Sequence, residues 1–251
     1  MTEPWQVIDY DPDRWPFGEL VADSLVSDEE RAAFAGTRGR VTVTLDCLRA
    51  ELAPRTWQTD QTSPWHPRFY AGFDAWRDTF EAFVRAVVAP TMHEPFAYQA
   101  VPTFRVQLPG NTAVGEWHTD ATYGHPDGEL SHWLPLTAAH DSASVWITGD
   151  DGRRQAPDTG PGQVIVFDAV NRVHGNLVNE TGRTRVSFDF RTLPVRLLPE
   201  RPKRTEHTKL PFALGGYYAS EPIQAPLCGK PTGHGDCTFP TGHDGGCAVG
   251  P

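Results

Sequence analysis

The sequence predicts a mainly β protein with flanking helices, a barrel or jelly roll, on three observations. Between residues 103 and 191, short alternating or β-branched segments are separated by turn formers, the pattern of an all-β domain. Ahead of them Phe73, Trp76, Phe80, Phe83, Val84, Val87 and Val88 recur at three- and four-residue spacing, the apolar stripe of a helix packed on a sheet. In the last segment, 184–191, Arg185, Ser187, Asp189 and Arg191 share one strand face while Val186, Phe188 and Phe190 share the other. With the apolar face against helices, the polar face lines an interior cavity.

Taken in order, the first sixty residues are rich in Pro and Trp, with a short strand expected at 40–45 (RVTVTL). The helix follows over 73–88 and Pro90 closes it. TFRVQL at 103–108 alternates apolar and polar residues, and Pro109-Gly110-Asn111 turns the chain. EWHTD at 116–120 reads as extended, so Glu116, His118 and Asp120 point one way. A loop spans 123–128. Strands are expected at 133–137 and 144–147, with Pro135 marking an edge or bulge. A turn at 150–152 and Pro161-Gly162 introduce a buried strand at 163–168, and His174 sits just beyond it. Residues 179–182 make the hairpin turn into 184–191.

The chain of 251 residues reads as one domain, 1–225, with an N-terminal helical and strand extension and a Gly/Pro/His/Cys-rich tail at 226–251. Its net charge of −10 argues against a partner held by nucleic-acid phosphates. No apolar run is long enough for a membrane span and no signal peptide is apparent, so a cytoplasmic protein acting on a small molecule, as monomer or homodimer, is the expectation. The tail gathers Cys228, Cys237 and Cys247 with His234 and His243. Such a cluster can hold zinc, although its spacing forms no tight knuckle and a loosely draped tail is the alternative.

Two imidazoles and one carboxylate, from His118, Asp120 and His174, can occupy one face of an octahedral metal and leave the other face open. That suits non-haem Fe(II), whose open positions take a chelating cosubstrate and O2. Arg185 lies about ten residues past His174, and its planar fork matches a carboxylate as Lys does not. Arg183 and Arg191 are the alternatives to it.

In that order these residues resemble the Fe(II)/2-oxoglutarate-dependent dioxygenases, a superfamily with a double-stranded β-helix fold, a cupin-like jelly roll. Residues 117–126 (WHTDATYGHP), His174-Gly175-Asn176 and residues 184–191 (TRVSFDFR) look like one bacterial group within it. These are the StrG-type oxygenases of streptomycin biosynthesis, with free-amino-acid hydroxylases and halogenases as cousins. The resemblance covers about residues 103 to 195.

The resemblance implies that His118, Asp120 and His174 ligate Fe(II), and that Arg185 and Ser187 bind 2-oxoglutarate, with Arg105 and Gln107 lining the same pocket. It implies a hydroxylase that consumes O2 and releases succinate and CO2. Halogenating cousins have Gly or Ala at the carboxylate position; Asp120 departs from that pattern and points to hydroxylation or a related oxidation. Glu116, facing inward, would meet an ammonium or guanidinium group, so the expected substrate is a cationic amino acid or aminocyclitol-type precursor. His125, Tyr123, Trp146, Asp189, Tyr217 and Tyr218 are further candidates for the substrate wall, with Glu129 beside them. Two other readings stay open: a cupin-type metal enzyme that makes no use of 2-oxoglutarate, and a non-catalytic ligand-binding barrel.

Overall fold

A computed structural model describes residues 3–25, 45, 63–114, 116–225, 231–232 and 235–236. The expected strand at 40–45 lies outside these except for Leu45, which is buried in the core. The tail residues Cys228, Cys237, Cys247, His234 and His243, and with them the zinc clip, also lie outside the described residues.

In chain order the strands are β1 (Gln6–Asp9), β2 (Phe96–Tyr98), β3 (Thr103–Gln107), β4 (Leu130–Pro135), β5 (Trp146–Thr148), β6 (Arg154–Gln155), β7 (Gln163–Phe167), β8 (His174–Gly175), β9 (Arg185–Pro194), β10 (Pro231–Thr232) and β11 (Gly235–Asp236). Among the described residues the α-helices are α1 (Phe17–Leu25), α2 (Trp65–Gly72) and α3 (Arg77–Phe83). Two antiparallel sheets make the jelly roll. The larger runs β1-β7-β4-β9-β2, with β3 also paired to β9, and the smaller runs β6-β5-β8.

β9 is the spine of the larger sheet. Along one side it pairs with β4, from Leu130 opposite Thr192 to Pro135 opposite Ser187. Along the other it takes β2 and then β3, from Phe96 opposite Pro194 to Gln107 opposite Arg185. Pro135 was expected at an edge or bulge. Instead it ends an interior strand, at a point where pairing of β4 with β7 has already stopped at Trp133. A missing N–H therefore leaves no gap on that side.

The apolar face of β9 meets the helices. Phe188 packs edge-on against Phe17 (5.3 Å between ring centroids) and beside Trp76 (6.0 Å), and Phe190 packs edge-on against Phe80 (5.1 Å). Each such side chain stabilises the fold by about 1.5–3 kcal/mol through burial, and the packing fixes the register: a one-residue slip would turn the phenylalanines into the cavity. The apolar stripe from Phe73 to Val88 is buried as its spacing predicts, apart from the half-buried Val87.

That stripe does not lie on one continuous helix. A 3-10 turn (Phe73–Ala75) joins α2 to α3, and a π turn (Val84–Val88) and a second 3-10 turn (Ala89–Thr91) follow α3. Trp76, at φ −129°, interrupts the helical backbone. Pro90 lies in the middle of the last turn and brings no N–H, so the hydrogen-bond ladder around it cannot stay regular.

Candidate active site

His118 and His174 are brought together by a single antiparallel bridge. The N–H of His118 donates to the carbonyl of His174 (3.1 Å) and the N–H of His174 donates back to that of His118 (2.9 Å). The chain then leaves extended geometry: Asp120 opens a 3-10 turn (Asp120–Tyr123), which Gly124 closes at φ +83°. The alternation expected for 116–120 fails at its first member. One bridge orients His118 but no ladder extends to Glu116, whose side chain is exposed and outside the cleft lining.

Both imidazoles are pinned from behind. Nδ1 of His118 donates to the Glu116 carbonyl (2.9 Å) and Nδ1 of His174 donates to the Arg172 carbonyl (3.0 Å). A carbonyl only accepts, so each ring carries a proton on Nδ1 and turns Nε2 forward, the atom a metal would take. The two Nε2 atoms lie 3.6 Å and 3.5 Å from Oδ1 of Asp120, and the three donor atoms fall within 4.8 Å of one another. Two imidazoles and one carboxylate fit Fe(II) by donor type and number.

Electrostatics keep the set ready for a cation. Burial pushes the His174 imidazole down to about 4, with Asp120 opposing, so the ring is neutral at ordinary pH. Burial alone would raise the Asp120 carboxyl, but Arg191, His118 and His174 outweigh it and hold the group below the usual carboxylate range. Arg191 is the largest of these influences. Its Nε and Nη2 both donate to Oδ2 of Asp120 (3.0 and 2.8 Å), while Nη1 donates to Oδ2 of Asp189.

The triad opens on a cleft of about 510 Å3, a figure that includes the open space at its mouth. Arg105, Asp189 and Arg191 form its charged wall, and Val114, Val145, Phe167 and Trp133 an apolar one. Ser131 and Asn176 add hydrogen-bonding groups. Arg185 also reaches the cleft, and its guanidinium is held in part as follows: Nε donates to the Ala143 carbonyl (3.1 Å), Nη1 to Ser187 Oγ (2.7 Å) and Nη2 to Gln107 Oε1 (3.1 Å). Ser187 and Gln107 are fully buried and do not line the cleft; they support Arg185. Ser187 Oγ is itself steadied by the Trp133 indole N–H (3.0 Å). Arg105 does line the cleft, with Nε 3.3 Å from Asp189 Oδ1.

The residues read as substrate wall disperse. Asp189 reaches the cleft, but both its oxygens are taken by arginines. Tyr123 stands edge-on to His118 (5.1 Å), exposed and outside the lining. Trp146 donates its indole N–H to the Asp141 carbonyl (3.0 Å), away from the cleft. His125, Tyr217 and Tyr218 gather around the buried Glu129, outside the cleft lining. That carboxylate pairs with His125 Nδ1 and accepts the Tyr218 hydroxyl (2.6 Å), while Tyr217 donates to Gln99 (2.9 Å). Burial and then Glu129 raise the phenols of both tyrosines, so they remain protonated donors. The carboxylates expected to greet a cation are therefore outside the cleft (Glu116, Glu129) or already paired (Asp189).

The sequence places Arg191 on the polar face of the strand, as an alternative to Arg185, but does not reveal its pairing with Asp120. Period-two spacing was signal enough for the face. Its partner Asp120 lies on a different segment, beyond the reach of local pattern.

No protein-family model matches the chain. The streptomycin biosynthesis protein StrG of Streptomyces griseus is 37% identical to it over 174 residues, 69% of this chain and 84% of that protein. Solved structures similar to it include EctD from S. alaskensis with bound Fe (TM-score 0.49, 18% identity, covering 84% of this chain and 76% of that one). The non-heme monooxygenase ThoJ in complex with Ni is another (TM-score 0.47, 16% identity, covering 90% and 86%). The StrG relationship spans most of both chains, and the chain that carries this His118-x-Asp120, His174 and Arg185 set belongs to the StrG family.

Proposed function

We infer that the protein is an Fe(II)- and 2-oxoglutarate-dependent oxygenase. It hydroxylates an unactivated C–H bond of a small polar natural-product precursor, an amino acid or aminocyclitol, with succinate and CO2 as coproducts. The observation that supports this most is one cleft holding both a forward-facing Nε2, Nε2, Oδ1 triad and, on its wall, a guanidinium fixed in place by hydrogen bonds.

His118, Asp120 and His174 would hold the metal, which supplies O2 activation when bound. Arg185 would take the far carboxylate of 2-oxoglutarate, with Ser187 and Gln107 keeping its fork in plane. The apolar residues Val145, Phe167 and Trp133 exclude water from the reacting groups. Ser131 and Asn176 would orient the substrate through hydrogen bonds. The cationic character expected of the substrate rests on the StrG-like motifs and on inward carboxylates, Glu116 foremost. With that residue outside and Asp189 paired, polarity describes the substrate better than charge.

The test is an anaerobic titration of the metal-free protein with Fe(II) and then 2-oxoglutarate, following the visible charge-transfer band of the chelate. The band should appear, vanish in His174→Ala and weaken in Arg185→Ala. Iron binding without the band would move the protein to a cupin-type enzyme that makes no use of 2-oxoglutarate. No iron binding would remove the assignment altogether.

A further inference from the structure

Resting on the oxygenase reading above, we propose that Arg191 is a positioning residue that makes Asp120 a one-oxygen metal ligand and so keeps the cosubstrate's place open. The two carboxylate oxygens of Asp120 are already differentiated. Oδ1 faces Nε2 of both His118 and His174 at 3.6 and 3.5 Å, where a shared metal would sit. Oδ2 is turned away and takes two hydrogen bonds from one guanidinium, Nε at 3.0 Å and Nη2 at 2.8 Å.

Such a side-on, charge-assisted pair is among the stronger contacts a carboxylate makes, and it fixes direction as well as position. Arg191 is fixed in turn. Its Nη1 donates to Asp189, whose other oxygen receives Nε of the half-buried Arg105, so Arg105, Asp189, Arg191 and Asp120 form one chain of ion pairs across the cleft wall. A carboxylate released from this clamp could rotate and offer both oxygens to the metal. It would then occupy a position that 2-oxoglutarate requires as a two-atom chelator. The clamp therefore acts on cosubstrate binding more than on metal binding, because one oxygen or two will both hold the ion.

That split is the test, and it needs no turnover. Affinities of the metal-free protein for Co(II), and of the Co(II)-loaded protein for 2-oxoglutarate, would be measured by calorimetry for the parent, Arg191→Met and Arg191→Lys, with far-UV CD confirming the fold. In Arg191→Met, Co(II) affinity should stay within about threefold of the parent while 2-oxoglutarate affinity falls at least tenfold. Arg191→Lys keeps the charge but not the fork; it should also lose 2-oxoglutarate affinity, and it decides the matter if the methionine variant does not fold. Parental 2-oxoglutarate affinity in a folded Met or Lys variant would overturn the proposal, as would equal loss of both affinities. A parent that binds Co(II) but no 2-oxoglutarate would instead overturn the reading on which the proposal rests.

Discussion

At the scale of single residues, Arg185 illustrates how a buried charge is made specific. It is 2% exposed, and a carbonyl, a hydroxyl and an amide oxygen accept hydrogen bonds from its guanidinium. These acceptors fix the plane of the fork and the direction in which it meets an incoming carboxylate. The Trp133 ring, 5.5 Å from the guanidinium carbon, backs the same group. Arg191 is the converse case, since carboxylates engage all of its described hydrogen bonds and it is spent on structure. The expected consequence is that Arg185→Lys raises the KM for 2-oxoglutarate at least tenfold, about 1.4 kcal/mol, with a smaller effect on kcat at saturation. Steady-state kinetics against 2-oxoglutarate would check it, and an unchanged KM would remove Arg185 from cosubstrate recognition.

Among the elements, β9 does two jobs through one alternation. Val186, Phe188 and Phe190 lock it under the helices, while Arg185, Asp189 and Arg191 on its other face reach the cleft. Loss of packing on one face should therefore disturb the other. Phe188→Ala should cost about 3–5 kcal/mol of stability, because its surroundings, Phe17, Trp76 and Phe80, are rigid rings that collapse poorly into a cavity. Denaturant unfolding would measure it, and a loss below about 1 kcal/mol would mean the helices do not anchor the strand. The two faces of β9 and the helical stripe were legible in the sequence because burial imposes a period on each. The splitting of the helix was not, since Trp76 and the Pro90 region change backbone hydrogen bonding without changing the spacing of apolar residues. Glu116 was misplaced for a related reason: alternation holds only where a ladder enforces it, and here there is one bridge. The triad could be read from residue type and order. The grouping of His125, Tyr217 and Tyr218 around Glu129 could not, because it depends on how distant segments meet.

For the whole molecule, the histidines buried in and around the sheet couple stability to pH. His66, its Nε2–H donating to the Phe104 carbonyl at 3.1 Å and its Nδ1 accepting from the Ser63 hydroxyl at 2.7 Å, is pushed down to about 4 by burial and then by Arg105. Burial takes His132, stacked on Phe190, down to about 3, and His174 to about 4. In the unfolded chain each returns to about 6.5. Between those values the unfolded state binds protons that the folded state refuses, so stability must fall as pH falls. Each group adds a slope of up to about 1.4 kcal/mol per pH unit across that window. Asp120 acts elsewhere on the scale: its folded carboxyl is held below the usual range, so its contribution is present above about pH 4 and disappears only beneath it. The window from pH 6.5 down to about 4.5 therefore reports the histidines. For metal-free protein, Tm should drop steadily across it, and His132→Leu should make the drop shallower. Metal bound at His174 keeps that ring unprotonated in the folded state, so saturating Co(II) should raise Tm without flattening the share that belongs to His66 and His132. A Tm that stays level between pH 6.5 and 4.5 would show that these rings take up protons in the folded protein, and that the sheet opens to water far more readily than its packing implies.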